Sequence, residues 1–501
     1  MKNRIIGVIF FINLIILIGC AQKDENNGIF QTRTPESEGV SSKAILEFIN
    51  AVERERKDDL NGIIIVRNGK KIAEGYWAPY NADSPHMLFS LSKSFTSSAI
   101  GIAQDEGLLS INDLVISFFP DDTPDSISVN LRAMRIRDLL RMNTGHDQDV
   151  TGRMRLSNQS WVQNFLSQPV EHKPGTRFVY NSAATYMLSA IIQKATGETL
   201  LQYLTPRLFD PLGITNPSWE VSPEGINTGG WGLKIRTKDI ASFGQLYLQK
   251  GKWEGKKIIS EKWVDEATSL QTSNGSNPDS DWDQGYGYQF WRCRHNVYRG
   301  DGAFGQYCIV MPQFDAVIAI NSGTNDMQAI LNLIWDHLLP AFKDKAIPAD
   351  EVNYLSLKDK LSGLFISTVT GEETSPITDA VSRKTYSMEM NETGIESLSF
   401  TLAGEDKSIT FTSKDESLKI PVGFGSVKKG EMLLPRYGKQ PVASSGAWVS
   451  DNNYQVKMCY YETPFIVTFN FIFNDNDLIV NADMNVSMGN GRFLELKGKA
   501  N

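Results

Sequence analysis

The chain predicts an α+β architecture followed by a separate all-β domain. Three observations carry this prediction. Strand-like segments occur at both ends of the first three hundred or so residues, helix-like segments fill the interval, and after Pro348 the pattern changes to short alternating segments parted by polar turns. An antiparallel sheet built from both chain ends with a helical insertion is an α+β pattern. Short strands at regular spacing point to a small barrel or sandwich.

The elements follow in order. Residues 62–66 (Gly-Ile-Ile-Ile-Val) form a buried type of strand, Asn68-Gly69 is a hairpin turn, and 71–76 is the returning strand. A helix starts near Ser90, runs through Ala99 and Ile102 and ends before Gly107. A second covers 183–195, with Gly197 just past its end. A third starts at Thr237 and continues through Phe243 and Leu246. Strands are expected at 285–291, 297–302, 306–311 and 316–321, then a closing helix over 327–343. Beyond Pro348, a helix at 351–362 leads to strands around 398–402, 409–411, 456–460, 466–473, 478–480 and 493–496. The division is therefore a first domain at 35–345, a linker with a short helix at 346–375, and a β domain at 376–501.

Composition limits the function. The 501 residues allow two or three domains, and 41% hydrophobic content supports a large core. A net charge of -8 with no basic stripe argues against nucleic acid. The five histidines (86, 146, 172, 295 and 337) are scattered, with no paired-cysteine spacing, so neither metal nor cofactor is expected.

The first residues carry an address. Lys2 and Arg4 precede an apolar run at 5–18 that is too short for a comfortable membrane span, as in a secretory signal. It ends in Leu17-Ile18-Gly19-Cys20, which resembles the lipobox of bacterial lipoproteins. That resemblance implies a signal peptide over 1–19, a lipid on Cys20, a tether over 20–34 and attachment to the bacterial cell envelope, periplasmic or surface-exposed. The alternative is an uncleaved apolar anchor. In the lipoprotein reading, membrane contact is through the lipid alone. Three cysteines remain, Cys293, Cys308 and Cys459. The first two could pair from neighbouring strands; the favoured reading is that all three are buried apolar residues.

Three motifs bear chemistry. In Ser90-Leu91-Ser92-Lys93 a serine and a lysine three apart share one face of a helix start, where unpaired N–H groups and the dipole favour an oxyanion. A serine hydroxyl needs a base, and lysine serves when its pKa is lowered. The plainer reading is a capped helix with a solvated lysine. A second S-x-x-K, Ser426 to Lys429, sits among glycines with no helix and reads as a turn. In Tyr180-Asn181-Ser182, a tyrosine just before a helix can pass a proton, as phenolate or beside a cationic lysine; the plainer reading is a core aromatic with Asn181 or Ser182 capping. In Arg299-Gly300-Asp301-Gly302-Ala303, a Gly-rich strand edge lets a substrate backbone approach, and the Ala303 N–H supplies a second oxyanion donor; a hairpin turn is the alternative.

Together these motifs resemble the serine β-lactamase-related family, the class C branch with its esterases, D-peptidases and 6-aminohexanoate-dimer hydrolases. The likeness covers about residues 35–345 and extends to 138–146, 229–233 and 239–253. It implies a β-lactamase/transpeptidase-like fold with Ser90, Lys93 and Tyr180 catalytic, and Ala303, Gly302, Ser182 and Asp301 at the oxyanion and substrate positions. The β domain resembles the lipocalin-like appendages of some relatives. Two departures stand out. Ser182 replaces the Asn that usually closes the tyrosine motif, and Gly300-Asp301 replaces a Lys or His followed by Thr. In relatives that cation and hydroxyl face a substrate carboxylate. An acid in their place repels such substrates unless Arg299 compensates. The expectation is a serine hydrolase for a small-molecule or peptide ester or amide, and a poor β-lactamase. The alternatives are a penicillin- or peptidoglycan-binding lipoprotein that acylates without turnover, and a structural lipoprotein whose business is the β domain.

Overall fold

The computed structural model describes residues 29–156, 160–489 and 492–501. The expected signal segment and Cys20 lie outside the described residues. Among those described, no helix is long and apolar enough to cross a membrane. The expected tether ends in a fixed contact, since Thr32 bridges to Lys71.

The first domain is built on a six-stranded antiparallel sheet. Its order is Lys70–Tyr76, Leu60–Arg67, Ala316–Ser322, Gln306–Met311, Tyr298–Gly302 and Trp291–Arg292. The Leu60–Arg67 strand is buried throughout because both faces are covered. Ile63 and Ile65 pack with Phe48 and Ile49 of the Ser42–Glu55 helix and with Ile330 and Ile334. Ile64 and Val66 turn the other way, toward Phe95 and Phe243 on the Ser92–Asp105 and Thr237–Leu248 helices. The strand's period of two sorts these side chains between two cores. Helices between residues 92 and 268 form the rest of the domain, including the buried Ser182–Thr196 helix that ends on Gly197 at φ 77°.

Two expected elements are shorter than predicted. Only Trp291–Arg292 of the 285–291 stretch is strand. Gln289, at φ 65°, turns inward, where its carbonyl accepts from Ser94 and its amide donates to Leu140. The closing helix is regular only over Met327–Leu333, then widens and tightens through Ile334–Leu338 and Leu339–Ala341, where Pro340 has no N–H to continue the ladder.

The C-terminal domain is a ten-stranded antiparallel sheet curled into a nearly closed barrel. Its end strands, Ser417–Pro421 and Lys428–Leu434, are drawn together by Ser444, whose hydroxyl donates to Pro421 O and Lys428 O. The expected strands are present. Four others were not anticipated: Thr385–Met388, Ser417–Pro421, Lys428–Leu434 and Gly438–Ser450. They carry charges, glycines and Pro441, which hide the alternation. Ser426 lies in the exposed turn before the Lys428 strand, bonded only locally to Phe424 O. The three described cysteines are free and buried; Cys293 and Cys308 sit in different cores and do not pair.

A polar clamp docks the barrel. Lys457 donates to Asp58 at 3.1 Å and to Ser367 O at 2.8 Å, and Ser367 donates from both N–H and hydroxyl to Asp58. Burial pushes the Asp58 carboxyl up, but the Ser367 bonds and the Lys457 charge more than offset it and hold it below its ordinary value. Breaking a half-buried, hydrogen-bonded pair of this kind costs about 1–3 kcal/mol. Lys457→Met is therefore expected to lower the chemical-denaturation midpoint of the full chain, with earlier proteolytic release of the barrel. An unchanged midpoint would show that the clamp adds nothing.

Candidate active site

The site forms where the Ser92–Asp105 helix begins, beneath the strand Tyr298–Gly302. A short helical turn, Phe89–Leu91, leads into that helix. Ser92 donates to Phe89 O at 2.6 Å and accepts from Leu233 N at 3.1 Å, which fixes the turn. Lys93, one turn on, is 1% exposed. Its Nζ lies 2.9 Å from Ser90 Oγ, 3.1 Å from Ser182 Oγ and 2.7 Å from Gly230 O. The ammonium thus meets three oxygens and no carboxylate. Desolvation pulls its pKa from 10.5 to about 7, against the weaker pull of Asp149 and Asp301. Near neutrality a large share of Lys93 is a free amine. As an ammonium it donates to all three oxygens; as a free amine it has two N–H groups for Gly230 O and Ser182 and a lone pair left over for the Ser90 hydroxyl.

Tyr180 is the second partner. Its hydroxyl bonds Ser90, while Lys93 Nζ sits 4.9 Å from its ring centroid. Burial first, and the Asp301 charge second, push the phenol well above its ordinary value, so it is a neutral donor rather than a phenolate. Asn181 caps the Ser182–Thr196 helix by accepting from Ala183 N at 3.1 Å, which leaves the Ser182 hydroxyl free for Lys93.

The third motif is placed differently from the expectation. A side chain at Gly300 would strike Leu91 and Ser94, and one at Gly302 would come within 2.0 Å of Leu88 O. These glycines make room for the protein's own Ser90 segment. Asp301 is not presented to a ligand either. It is 6% exposed and its carboxylate accepts from Arg299 at 2.9 Å and from the Trp291 indole. Arg299 is 0% exposed and also donates to Asp281 O and Cys293 Sγ. Burial pushes the Asp301 carboxyl up, and the guanidinium draws it back. The pair cancels in charge, so Arg299 does compensate the acid, but neither group is left for a substrate carboxylate. Trp291, held by Asp301, stacks on Tyr180 at 5.2 Å.

Ser90, Lys93, Tyr180 and Ser182 are therefore brought together, with half-buried Ala303 on the strand turn beside them. Sequence reasoning missed the Gly230 carbonyl and the support that Trp291 gives Tyr180. Glycines at 229–230 were the available signal: a side chain at Gly230 would meet Ser182 O at 2.8 Å. Among the described residues, no cluster of His, Cys, Asp and Glu is arranged to hold a metal ion.

A buried Ser–Lys–Tyr centre on a helix start under an antiparallel sheet has known parallels. The β-lactamase family model matches residues 49–336, and the chain belongs to that family of serine β-lactamase-related hydrolases. It is 25% identical over 285 residues to the 6-aminohexanoate-dimer hydrolase of Paenarthrobacter ureafaciens, covering 52% of this chain and 71% of that protein. It is 28% identical to the flp protein of Staphylococcus aureus, but covers 34% of that protein's length and 32% of its own. In fold it is similar to EstCE1, a hydrolase with promiscuous acyltransferase activity, at a TM-score of 0.51 and 17% identity, covering 59% of this chain and 99% of that one. The barrel lies outside the family match.

Removing Asp301 strands the fully buried Arg299 charge, which typically costs about 3–5 kcal/mol. Asp301→Ala is expected to lower stability by that order in chemical denaturation, and Asp301→Asn by clearly less. Equal losses for the two would show that Arg299 does not depend on the carboxylate.

Proposed function

We propose that the protein hydrolyses an ester or amide through an acyl-enzyme on Ser90. The observation that carries this is the Lys93 amine, desolvated to a pKa of about 7 and set 2.9 Å from the Ser90 hydroxyl. In the proposed reaction Ser90 Oγ bonds to the substrate carbonyl carbon as its proton passes to Lys93. The N–H groups of Ser90 and Ala303 receive the oxyanion, a contribution worth about 10²–10³ in turnover for one such donor. Collapse breaks the bond to the leaving group, which takes a proton relayed from Lys93 through Tyr180. Water then attacks the acyl carbon, gives its proton to the same relay and restores Ser90. The neutral phenol suits a relay that donates and accepts, with lysine as the base.

The substrate class follows from charge. The neutralised Arg299–Asp301 pair leaves no cation in the third motif for a carboxylate, which favours uncharged esters or amides over β-lactams. The active centre is proposed to work in the cell envelope, tethered by a lipid on Cys20; Cys20→Ser would then shift the protein from the membrane to the soluble fraction.

A fluorophosphonate probe is expected to add once to the wild-type chain, by intact mass, and not to Ser90→Ala, whose turnover of a p-nitrophenyl ester falls at least about 10³-fold. Because the base works only when neutral, kcat/KM rises with pH through about 7. Lys93→Ala loses that limb along with most activity. A Ser90→Ala protein with full esterase activity overturns the reading.

A further inference from the structure

The barrel loop at residues 460–466 packs against segments that flank both halves of the proposed oxyanion hole. On one side, Glu462 O accepts from Met87 N at 3.0 Å and Thr463 O accepts from the Tyr80 hydroxyl at 3.0 Å. On the other, Pro464 O lies so close to Gly323 that a side chain there would come within 2.5 Å of it, and Asn485 bridges Pro464 O and Gly323 O. Phe465 fills the space between. Its ring centroid is 6.2 Å from that of Phe89 and 5.9 Å from that of Phe304, both edge-on, while Phe89 and Phe304 meet each other edge-on at 5.3 Å. All three are buried, at 5%, 8% and 6% exposure.

The two hydrolase-domain members of this trio have unusual backbones. Phe89 sits at φ 48° and Phe304 at φ 66°. Bulky side chains rarely adopt the left-handed region, and a residue held there persists only where its surroundings fix it. Phe89 immediately precedes Ser90, and Phe304 immediately follows Ala303. The backbone of Phe89 turns the peptide that carries the Ser90 N–H, while Phe304 fixes the turn just after Ala303; the acyl-enzyme reading assigns both the Ser90 and the Ala303 N–H to the oxyanion. The Phe304 carbonyl is held within the domain by Ser322 and Thr324, but the two rings share one external support, the barrel's Phe465. Tyr437, on another barrel hairpin, backs Phe465 at 5.7 Å, and Gln440 ties that hairpin to the first domain by accepting from Lys234 at 2.9 Å while donating to Tyr437 O.

We propose that Phe465 is a positioning residue for catalysis: it locks Phe89 and Phe304 in left-handed conformations, and so holds in place the peptide that carries the Ser90 N–H and the turn that follows Ala303. The barrel is then a working part of the active centre. This inference rests on the acyl-enzyme reading for its catalytic consequence, but not for its structural one.

The test uses the full chain with Phe465→Ala, Phe465→Leu and Phe465→Met, and two readouts. For p-nitrophenyl ester hydrolysis, Phe465→Ala lowers kcat about tenfold or more with KM within about twofold, because the oxyanion forms only in the transition state. Fluorophosphonate labelling of Ser90 slows in parallel. Phe465→Met, closest in volume, recovers most of the rate. By hydrogen–deuterium exchange, peptides spanning 86–92 and 302–306 exchange faster in Phe465→Ala, and less so in Phe465→Leu, while the Ser182–Thr196 helix keeps its protection. Unchanged exchange at both segments overturns the proposal, as does an equal change in kcat and KM with barrel-wide loss of protection. A wild-type chain that is never labelled at Ser90 but shows the local exchange change would sink the acyl-enzyme reading and leave the locking role standing.

Discussion

The active centre depends on the burial of one amine. Lys93 is enclosed at a helix start with three oxygen partners and no direct carboxylate partner. Holding its pKa near 7 rather than 10.5 corresponds to about 5 kcal/mol against the charged form. Any water channel to Nζ, or any carboxylate within bonding distance, would restore the charge and remove the base. This constrains the neighbours. Gly230 must lack a side chain so that its carbonyl can reach the amine past Ser182, and Asn181 must do the capping so that the Ser182 hydroxyl stays available. It also explains why the nearby acid, Asp301, is engaged by Arg299. An unengaged carboxylate there would raise the Lys93 pKa and push Tyr180 further from any role in proton transfer.

The same acid shows how a departure from a family pattern is absorbed. The strand Tyr298–Gly302 presents Arg299 and Asp301 two residues apart, so their side chains share one face. Arg299 runs beneath Trp282 and Trp291, and Asp301 binds both the guanidinium and the Trp291 indole. A position that faces substrate in relatives becomes a support for Tyr180 through the stacked Trp291. In the proposed reading, the catalytic apparatus is retained while its ligand preference has changed.

Much of this was legible in the sequence, for identifiable reasons. Strand Gln306–Met311 and helix Glu351–Ser362 have the expected bounds because hydrophobic pattern and punctuation agree there. Ser90, Lys93 and Tyr180 could be named because their chemistry resides in side chains at motif spacing. The Gly230 contact could not, since a backbone carbonyl has no residue-type signature. Nor could the role of Gly300 and Gly302, where the demand for space comes from Leu88, Leu91 and Ser94, far away in the chain. Four barrel strands escaped notice because an outward face rich in Lys, Ser and Gly dilutes the period of two. Phe465 was readable as a strand-edge apolar residue and nothing more, because its meaning lies entirely in what the fold sets against it.

That last point bears on how two domains come to share one site. A hydrolase domain alone could hold Lys93, since every partner of its Nζ lies within residues 90–230. The two left-handed phenylalanines are another matter. Their strain is local to the first domain, while the apolar contact that closes over them comes from the barrel. In the proposed mechanism the base is thus autonomous and the oxyanion geometry is shared. In such an arrangement the proton-transfer chemistry would survive loosening of the barrel, while transition-state stabilisation would not. On the proposed role of Phe465, the docking contacts at Asp58, Lys234, Met87 and Gly323 are part of the catalytic design, because they set how firmly Phe465 bears on the residues beside Ser90 and Ala303.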